Sequence, residues 1–475
     1  MKLVQLFGYG VAGKSYAVTR QRRLNCYYEQ RQDSDKTQMA IYGTPGLVFK
    51  FSVATPFSTP IRGFLGTQSA LYLIAYNQFQ SVNATGGVLA SGTLNTTAGI
   101  CSLAFNSNQV VIADGANGYL FLPASNSFSL LPAAFPNGAR TVTFVASFFV
   151  AEQPGTQQFF VSNANDGSIW SGLAFASASS YSDNILAVDN LSGNLVIFSQ
   201  QHMEFWQNIG ATPQPFAPIL SAANEFGLAA LFSRGHVNQS IIFLAQTREG
   251  QVQFVQVTGF NAAVVSTPDI DSIINGFSTT SDCVALTYET DYHKMYQASF
   301  PTANRTFLYD TTTGLWSEAQ TGASVAPTRH IGNLSAYFAG QAIISDYQTN
   351  QVYTLSPTAY TDNGATIARE VITRHILSDF NRVRISQVYL DMETGVGLAS
   401  GQGSDPQIML QYSKDNGRTW SGERWVSIGM MGKYLTRVLW RRFGSTRDAT
   451  FKFRMTDPVK FVITNGALKI AERPT

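Results

Sequence analysis

A short apolar run recurs along the middle of the chain, and this repeat constrains the fold more than any other feature. Successive runs begin 39, 49, 36, 46, 54 and 47 residues apart. They start at Leu71, Val110, Phe159, Leu195, Ile241, Met295 and Ala342. Most are followed by a turn rich in Gly, Asn, Asp or Thr and then by a second apolar run, as in VVIADGANGYLFLP, which indicates a β-hairpin.

Hairpins repeated about every 45 residues are typical of the four-stranded blades of a β-propeller, which bury both faces only when neighbouring blades stack. Seven hairpins predict six or seven blades. We favour six, because an outer hairpin could supply a closing strand or belong to a flanking domain. A long β-solenoid and a pair of sandwiches are the alternatives, although sandwiches rarely show so long a period.

The pattern changes after Pro357. Apolar and polar residues then alternate, most strictly from Thr450 to Met455, as an antiparallel sandwich with one packed and one wet face requires. We therefore predict an all-β chain with a central β-propeller at 63–358 and a C-terminal antiparallel β-sandwich at 359–475. The N-terminal segment, 1–62, is expected to pack on the sandwich or to bridge it to the propeller.

Charge is distributed unevenly along the chain. Residues 51–363 contain 7 Lys and Arg against 17 Asp and Glu, whereas residues 1–50 contain 8 against 3 and residues 364–475 contain 17 against 10. Modules of opposite charge are expected to meet different partners. Two basic stretches are candidate contacts for an acidic subunit or for DNA phosphates. Their residues are Arg20, Arg22 and Arg23, and Arg437, Arg441 and Arg442.

The sequence predicts no metal site, no cofactor and no catalytic site. The three cysteines and five histidines are scattered without ligand spacing, and no serine has the context of a catalytic nucleophile. The N-terminus lacks the long apolar core of a signal peptide, and no run approaches 18 apolar residues. We therefore expect neither export by the general pathway nor a membrane span.

Two motifs suggest enzymes at first sight. Residues 8–15 fit the G-x4-G-K-S phosphate loop, but no βαβ succession follows, so we interpret the glycines as an ordinary loop. Residues 413–420 fit the Asp-box of sialidases, with Ser413, Asp415, Gly417 and Trp420 at its defining positions. In that family the box is a structural hairpin turn, and here it occurs once, outside the propeller.

The Asp-box leaves one alternative function open, a propeller-type carbohydrate-binding protein or glycosidase. A sialidase needs three arginines that hold the substrate carboxylate, together with a tyrosine nucleophile and acidic partners. Only seven basic residues occur between positions 51 and 363. This alternative is therefore the weaker one.

Four stretches together resemble the tail-hub or nozzle proteins of short-tailed phages, also called packaged-DNA stabilisation proteins. They are the N-terminal stretch at 13–29 with the GTPGL turn at 43–47, the hairpins at 195–210 and 307–316, and the C-terminal region from 412 to 459. The chain departs from the family pattern at Tyr28, where proline is common. The likeness spans nearly the full chain but is patchy in the propeller.

This resemblance implies a non-enzymatic virion protein of the tail, assembled in the host bacterial cytoplasm. Such proteins form a ring, usually of six copies, below the portal or head-to-tail adaptor. The ring retains packaged DNA, conducts the duplex during ejection and anchors tail spikes or fibres. An acidic propeller that faces the channel would repel DNA phosphates, while the basic terminal modules would hold neighbouring subunits or the adaptor.

Overall fold

The computed structural model describes residues 6–30, 39–55, 58–178, 180–377 and 381–472. Within these ranges the chain is almost entirely β-structure, with one short helix, α1 (Pro268–Ile274), and a 3₁₀ turn at Leu220–Ala222. Four strands precede the first propeller blade: β1 (Arg22–Leu24), β2 (Cys26–Gln30), β3 (Met39–Gly43) and β4 (Gly46–Ser52).

Seven antiparallel sheets follow along the chain. Blades 1 to 3 contain β5 (Ile61–Gly66), β6 (Leu71–Ala75), β7 (Gln78–Val82) and β8 (Val88–Thr93); β9 (Ser102–Phe105), β10 (Val110–Ala113), β11 (Gly118–Leu122) and β12 (Ser127–Leu130); and β13 (Val142–Val145), β14 (Phe148–Glu152), β15 (Gln158–Asn163) and β16 (Asp166–Ser177). Blades 4 and 5 contain β17 (Ile185–Leu191), β18 (Asn194–Ser199), β19 (Met203–Asn208) and β20 (Phe216–Pro218); and β21 (Gly227–Leu228), β22 (Gly235–Val237), β23 (Ser240–Gln246), β24 (Val252–Thr258) and β25 (Asn261–Val264). Blades 6 and 7 contain β26 (Val284–Thr290), β27 (His293–Phe300), β28 (Arg305–Asp310) and β29 (Leu315–Glu318); and β30 (Gly332–Phe338), β31 (Gln341–Asp346) and β32 (Gln351–Ser356).

The seven sheets are arranged as blades around one axis. The innermost strands of all seven line a single central cavity of about 590 Å³. Strands inside a blade, such as β6, β10 and β18, are buried on both faces because a neighbouring blade covers each face, so their sequences are continuous apolar runs. Each of the seven repeated runs lies in its own blade, so the blade number is seven rather than the favoured six.

The seventh blade takes its outermost strand from the N-terminal part of the chain. Strand β4 pairs with β32 in antiparallel register, from Gln351 opposite Ser52 to Ser356 opposite Gly46. This pairing joins the two ends of the ring, as a closed propeller requires. The hairpin at Ala342 thus belongs to a complete blade, whose fourth strand lies outside the 45-residue repeat.

Gly46 gives a direct test of how closely β4 packs against the connection that follows blade 7. A Cβ at this position would lie 2.4 Å from the Thr361 carbonyl oxygen and 2.7 Å from that of Ala359, and backbone atoms cannot move aside cheaply. We expect Gly46→Ala to lower the free energy of unfolding by about 1–3 kcal/mol, measured by chemical denaturation. The control is Gly172→Ala, whose Cβ would meet no atom within 4 Å. Equal stability of the two variants would contradict this close packing at Gly46.

The remaining strands complete the second unit and its connection to blade 7. They are β33 (Thr361–Asp362), β34 (Ala365–Thr366), β35 (Arg369–Ile372), β36 (Ile376–Leu377), β37 (Val383–Met392), β38 (Gln407–Ser413), β39 (Arg424–Ser427), β40 (Val438–Thr446), β41 (Asp448–Met455) and β42 (Val462–Glu472). Strands β33 and β34 extend the sheet of blade 7 beyond β4.

The second unit is a β-sandwich, and the N-terminal strands contribute to both of its sheets. One sheet has the order β1, β35, β41, β38, β39, and the other has the order β2, β3, β42, β37, β40. Their inner faces share one apolar core, in which Phe451, Phe453 and Met455 alternate with outward Lys452 and Arg454. The alternation in the sequence therefore predicts the buried face correctly.

One continuous ten-stranded sheet connects the propeller to the sandwich. Strand β1 pairs in parallel with β29, the outermost strand of blade 6, where Leu24 is opposite Glu318. On its other edge β1 pairs antiparallel with β35. Backbone hydrogen bonds thus run without a break from the centre of the propeller to the far edge of the sandwich. Charged side chains also meet around β1, at the junction of the two units.

Candidate functional site

A buried ion-pair network surrounds β1 at the domain junction. The Arg22 guanidinium donates to the Glu318 carboxylate at 2.8 Å and to the Glu370 carboxylate at 3.1 Å. Arg305 contacts the other Glu318 oxygen at 3.1 Å, and Arg454 approaches Glu370 at 3.9 Å. Burial opposes ionisation of Glu318, but Arg22 and Arg305 outweigh it and hold the pKa of Glu318 below its usual value. The network joins a propeller carboxylate to a sandwich carboxylate through one arginine.

Arg23 is buried beside this network. Its guanidinium donates to the carbonyl oxygens of Gly8 and Gly10 at 3.1 Å, of Tyr9 at 3.0 Å and of Trp316 at 2.6 Å. The first three acceptors belong to the N-terminal loop and the fourth belongs to blade 6. Arg22 and Arg23 therefore connect parts of the same chain, and we do not retain them as contacts for DNA or for another subunit.

Asn25 adds a third link that was not singled out from the sequence. Its amide nitrogen donates to the carbonyl oxygens of Gln320 and Ala368, both at 2.9 Å, and its side-chain oxygen accepts from the Gln320 amide at 2.9 Å. The residue adopts a φ of 51°, which asparagine tolerates better than most residues. In the sequence, the only indication of this role is the position of Asn25 directly after the basic stretch.

The loop that fits the phosphate-loop pattern has the wrong polarity for a phosphate. Carbonyl oxygens of residues 8–10 point to the Arg23 guanidinium, whereas a phosphate loop presents amide hydrogens. No helix occurs among the described residues 6–21. The glycines serve close packing instead, since a Cβ on Gly8 would lie 2.4 Å from the Gln21 side-chain oxygen.

The Asp-box lies in the sandwich, between β38 and β39. Asp415 accepts from the Thr419 amide at 2.9 Å, the Thr419 hydroxyl at 2.6 Å and the Ser413 hydroxyl at 2.6 Å. These hydrogen bonds from Ser413 and Thr419 hold the pKa of Asp415 far below its usual value. The Gly417 amide donates to Ser413, and the Trp420 ring is half-buried with the Lys452 ammonium 4.4 Å from its centroid. The hydrogen-bonding groups of Ser413, Asp415 and Thr419 are thus directed into the turn. The same turn contacts Arg20.

The four other arginines predicted to contact partners lie at the surface of the sandwich. Arg20 is half-buried, and its Nε donates to the Gly417 carbonyl at 3.4 Å. Arg437, Arg441 and Arg442 are exposed. Arg441 and Arg442 both face outward although they are neighbours, because β40 carries a bulge opposite β37 and Arg442 adopts a φ of 67°.

Exposed charge on the sandwich is strongly positive. Among the described residues after 363, twelve Lys and Arg are exposed against two Asp and Glu. Arg441 and Lys469 both lie opposite Gln387 on neighbouring strands, so they share the outer face of the second sheet. The positive charge predicted for this part of the chain is therefore available to a partner.

The propeller presents less negative charge than its composition suggests. Seven of the 17 acidic residues at 51–363 are buried and six are half-buried, whereas Glu225, Glu249, Glu289 and Asp291 are exposed. Several buried acids cap blade hairpins. Asp310, for example, accepts from the Thr312 amide and the Thr313 hydroxyl.

An ordered loop of the sandwich exposes large apolar side chains. We call residues 430–435, between β39 and β40, the apolar loop. Met431 is 61% exposed, Tyr434 71% and Leu435 95%. The loop is held in place by hydrogen bonds from the Gly432 amide to the Gly395 carbonyl and from the Thr394 hydroxyl to the Tyr434 carbonyl. Exposed apolar surfaces are common where proteins contact one another.

The central cavity of the propeller contains one charged cluster. Asp189 of blade 4 contacts Arg234 at 2.7 Å and His236 at 2.9 Å, both from blade 5. Burial opposes its ionisation, but His236 and Arg234 hold the pKa of Asp189 at about 2. The cluster thus connects two blades. A cube with the volume of this cavity, about 590 Å³, has sides of about 8 Å, which is less than the roughly 12 Å width of the DNA major groove alone, so the cavity cannot hold a duplex.

Two negative findings apply to the part of the chain that the structure describes. It contains no group of three or more His, Cys, Asp or Glu side chains that could hold a metal ion. Its only α-helix has seven residues, so no described helix reaches the length needed to span a membrane.

A seven-bladed propeller joined through one sheet to a β-sandwich defines a class of two-unit, all-β proteins. Two family models match the sequence. One, described as bacteriophage P22 Gp10, beta-propeller, matches residues 25–360, and the other, described as bacteriophage P22 Gp10, beta-sandwich, matches residues 368–471. The chain therefore belongs to the bacteriophage P22 Gp10 family, the tail hub or nozzle proteins of short-tailed phages. The predicted fold class and family are confirmed.

Several solved structures are similar to the chain at low sequence identity. The WD40 domain of Neurospora crassa Pan2 has a TM-score of 0.43 at 10% identity, covering 69% of this chain and 97% of that chain. The β-propeller domain of Myceliophteria thermophila Cps50 (Swd1) has a TM-score of 0.41 at 8% identity, with coverages of 65% and 99%. These likenesses carry no weight for function. No curated protein matches the sequence.

Proposed function

We propose that copies of this chain form a ring of six in the short phage tail, below the portal or head-to-tail adaptor. The ring retains packaged DNA, conducts it during ejection and anchors tail spikes or fibres. The observation that carries this proposal is the match of both units to the two domains of one phage tail family, over residues 25–360 and 368–471.

The domain junction supports a load-bearing role. A ring that holds DNA under pressure must transmit force between its parts without hinging. Here the ten-stranded sheet, the Arg22 network and the Arg23 contacts all connect the propeller to the sandwich. Relative motion of the two units would break buried charge pairs, which is costly. The chain therefore acts as one rigid body in the proposed ring.

The distribution of surface charge supports a different proposed partner for each unit. The basic outer face and the apolar loop of the sandwich are the surfaces that we assign to neighbouring copies or to the adaptor. DNA passes between the copies, because the cavity of each propeller is too small for it. The repulsion of DNA phosphates comes mainly from the four exposed propeller acids, since seven of the 17 are buried.

The experiment is complementation of a phage that lacks this chain. Particles without the protein are expected to lose packaged DNA, and wild-type protein should restore retention. The variant Glu225→Lys, Glu249→Lys, Glu289→Lys and Asp291→Lys is expected to retain DNA but to eject it more slowly, most of all at low salt. The matched control changes the same four residues to their amides. Normal DNA retention in particles without the protein would contradict the proposed function.

No observation favours the glycosidase alternative. The polar groups of the single Asp-box are used within its own turn, and that turn lies in the sandwich rather than in the propeller. A fluorogenic glycoside assay on the purified protein is expected to show no hydrolysis above the rate without protein.

A further inference from the structure

We propose that a cavity between the propeller and the sandwich binds a small oxyanion, a carboxylate or a phosphate, on the guanidinium of Arg369. The cavity has a volume of about 370 Å³. Its lining comes from the first sandwich strands, the blade 6 hairpin turn and the connection after blade 7, and includes Tyr27, Tyr360, Arg369 and Lys460.

Arg369 is buried without a counter-charge in contact. Its side chain is 0% exposed, and none of the three guanidinium nitrogens donates a hydrogen bond to a described residue. Other buried arginines are different: Arg23 donates to four carbonyl oxygens, and Arg62 to Tyr76, Thr96 and Cys101. An unpaired buried charge is costly, so a partner from outside the chain would relieve the cost.

The fold places Arg369 in the wall of the cavity. Strand β35 fixes its backbone against β41, where Arg369 is opposite Met455. The side chain passes over Gly43, where a Cβ would lie 2.3 Å from the Arg369 Nε. The guanidinium carbon lies 5.7 Å from the Tyr360 ring centroid. The glycine therefore leaves the space that lets the arginine reach the cavity.

The carboxyl group of Asp362 interacts electrostatically with Arg369 but does not serve as its hydrogen-bond partner. Asp362 is buried and accepts from the Thr321 hydroxyl at 2.9 Å, but it makes no hydrogen bond to Arg369. Burial raises the pKa of Asp362 to about 7 despite the opposing effects of Thr321 and Arg369. A carboxyl group that is partly protonated near neutral pH compensates Arg369 incompletely.

The other groups around the cavity restrict the ligand to a small anion. Lys460 lies at the cavity and is paired with Glu393 at 2.8 Å. Burial raises the pKa of Tyr27, so its hydroxyl stays protonated and can donate. Glu29 and Asp291 also line the cavity and would repel a polyanion. The ligand that suits this cavity carries a single carboxylate or phosphate group, because Arg369 and Lys460 are its only basic lining residues among those described.

Binding can be measured on the purified full chain as the rise in thermal midpoint with ligand. Inorganic phosphate and acetate are titrated at constant ionic strength, with chloride as the reference, and the stronger response identifies the preferred oxyanion. We expect stabilisation that follows ligand concentration and saturates. Arg369→Met should abolish the response. Arg329→Met should keep it, since Arg329 is also buried but donates to Asn333 away from this cavity.

A second variant covers the case in which Arg369→Met does not fold. Tyr27→Phe removes only the hydroxyl that can donate to the ligand and is expected to weaken phosphate or acetate affinity by about 2- to 12-fold, the equivalent of one hydrogen bond. Three outcomes would overturn the proposal: a wild-type midpoint that responds no more to either oxyanion than to chloride, an unchanged response in Arg369→Met, or, where that variant does not fold, an unchanged affinity in Tyr27→Phe.

Discussion

Replacing Glu318 by glutamine is expected to lower the free energy of unfolding by about 3–5 kcal/mol, because two arginines then lose the charge that compensates them in a buried site. Arg22 and Arg305 both contact this carboxylate, and Arg22 also holds Glu370 of the sandwich. The change therefore weakens the junction as a whole. Chemical denaturation measures the stability, and limited proteolysis at the connection between the units reports the loosening.

Glu318 also predicts a pH dependence with a definite sign. Its pKa is lower in the folded chain than the usual 4.5, so the folded state binds fewer protons than the unfolded state as pH falls below that value. Its stabilisation is complete above about pH 4.5 and is lost as pH falls through the folded pKa. Glu318→Gln should remove this part of the acid sensitivity.

The control for the junction is Glu249→Gln, which changes an exposed propeller carboxylate. It should leave both the stability and the proteolysis pattern close to those of the wild type. If Glu318→Gln behaves in the same way, the ion-pair network does not hold the two units together.

The second large effect is expected at the apolar loop. Met431→Glu combined with Leu435→Glu should abolish ring formation and leave the fold intact, since these side chains are 61% and 95% exposed and have little internal packing to lose. Two charges buried without partners in a subunit contact would weaken assembly by far more than 100-fold. Sedimentation velocity over a concentration series measures the loss of the oligomer.

Two controls separate the contact from a change in net charge. Ile169→Glu with Leu173→Glu places the same two charges at exposed apolar positions of β16, outside the sandwich, and should assemble normally. Met431→Ser with Leu435→Ser removes the apolar surface without adding charge and should also weaken assembly. An oligomer of wild-type stability in the glutamate variant would exclude the apolar loop from the contact.

The propeller could be predicted because each blade leaves a local signal. A hairpin whose middle strands are buried on both faces produces an apolar run and a turn, and all seven were visible. The blade number could not be read in the same way, because closure of the ring depends on the pairing of β4 with β32, two strands about 300 residues apart in sequence. The domain boundaries 62/63 and 358/359 stay predictions, since strands from the first 62 residues lie in both units.

The number of acidic residues says less about the surface charge of the propeller than the turns in which those residues lie. Asp114, Asp310 and Asp346 each accept hydrogen bonds from residues two or three positions further on, so they stabilise hairpins instead of forming an acidic surface. An Asp directly after an apolar run, followed three residues later by Asn or Thr, is a local pattern from which this role could have been inferred.

The arginines show the limit of sequence reasoning more clearly. Arg22 and Arg23 look like a surface stretch, but their acceptors Glu318 and Trp316 come from a strand about 300 residues later. No local pattern reveals such a pairing. Arg441 and Arg442 would face opposite sides of a regular strand, and only the bulge in β40 directs both to solvent. Their proposed contacts, and that of Arg437, stay predictions.

Electron microscopy of the purified chain, alone and mixed with adaptor rings of its phage, tests the central claim most directly. We expect a closed ring of six copies in which sandwiches contact one another through the apolar loop and the basic face. The ring should surround an axial channel wide enough for duplex DNA and distinct from the cavity of each propeller. A stable monomer that forms no ring, either alone or on the adaptor, would contradict the account.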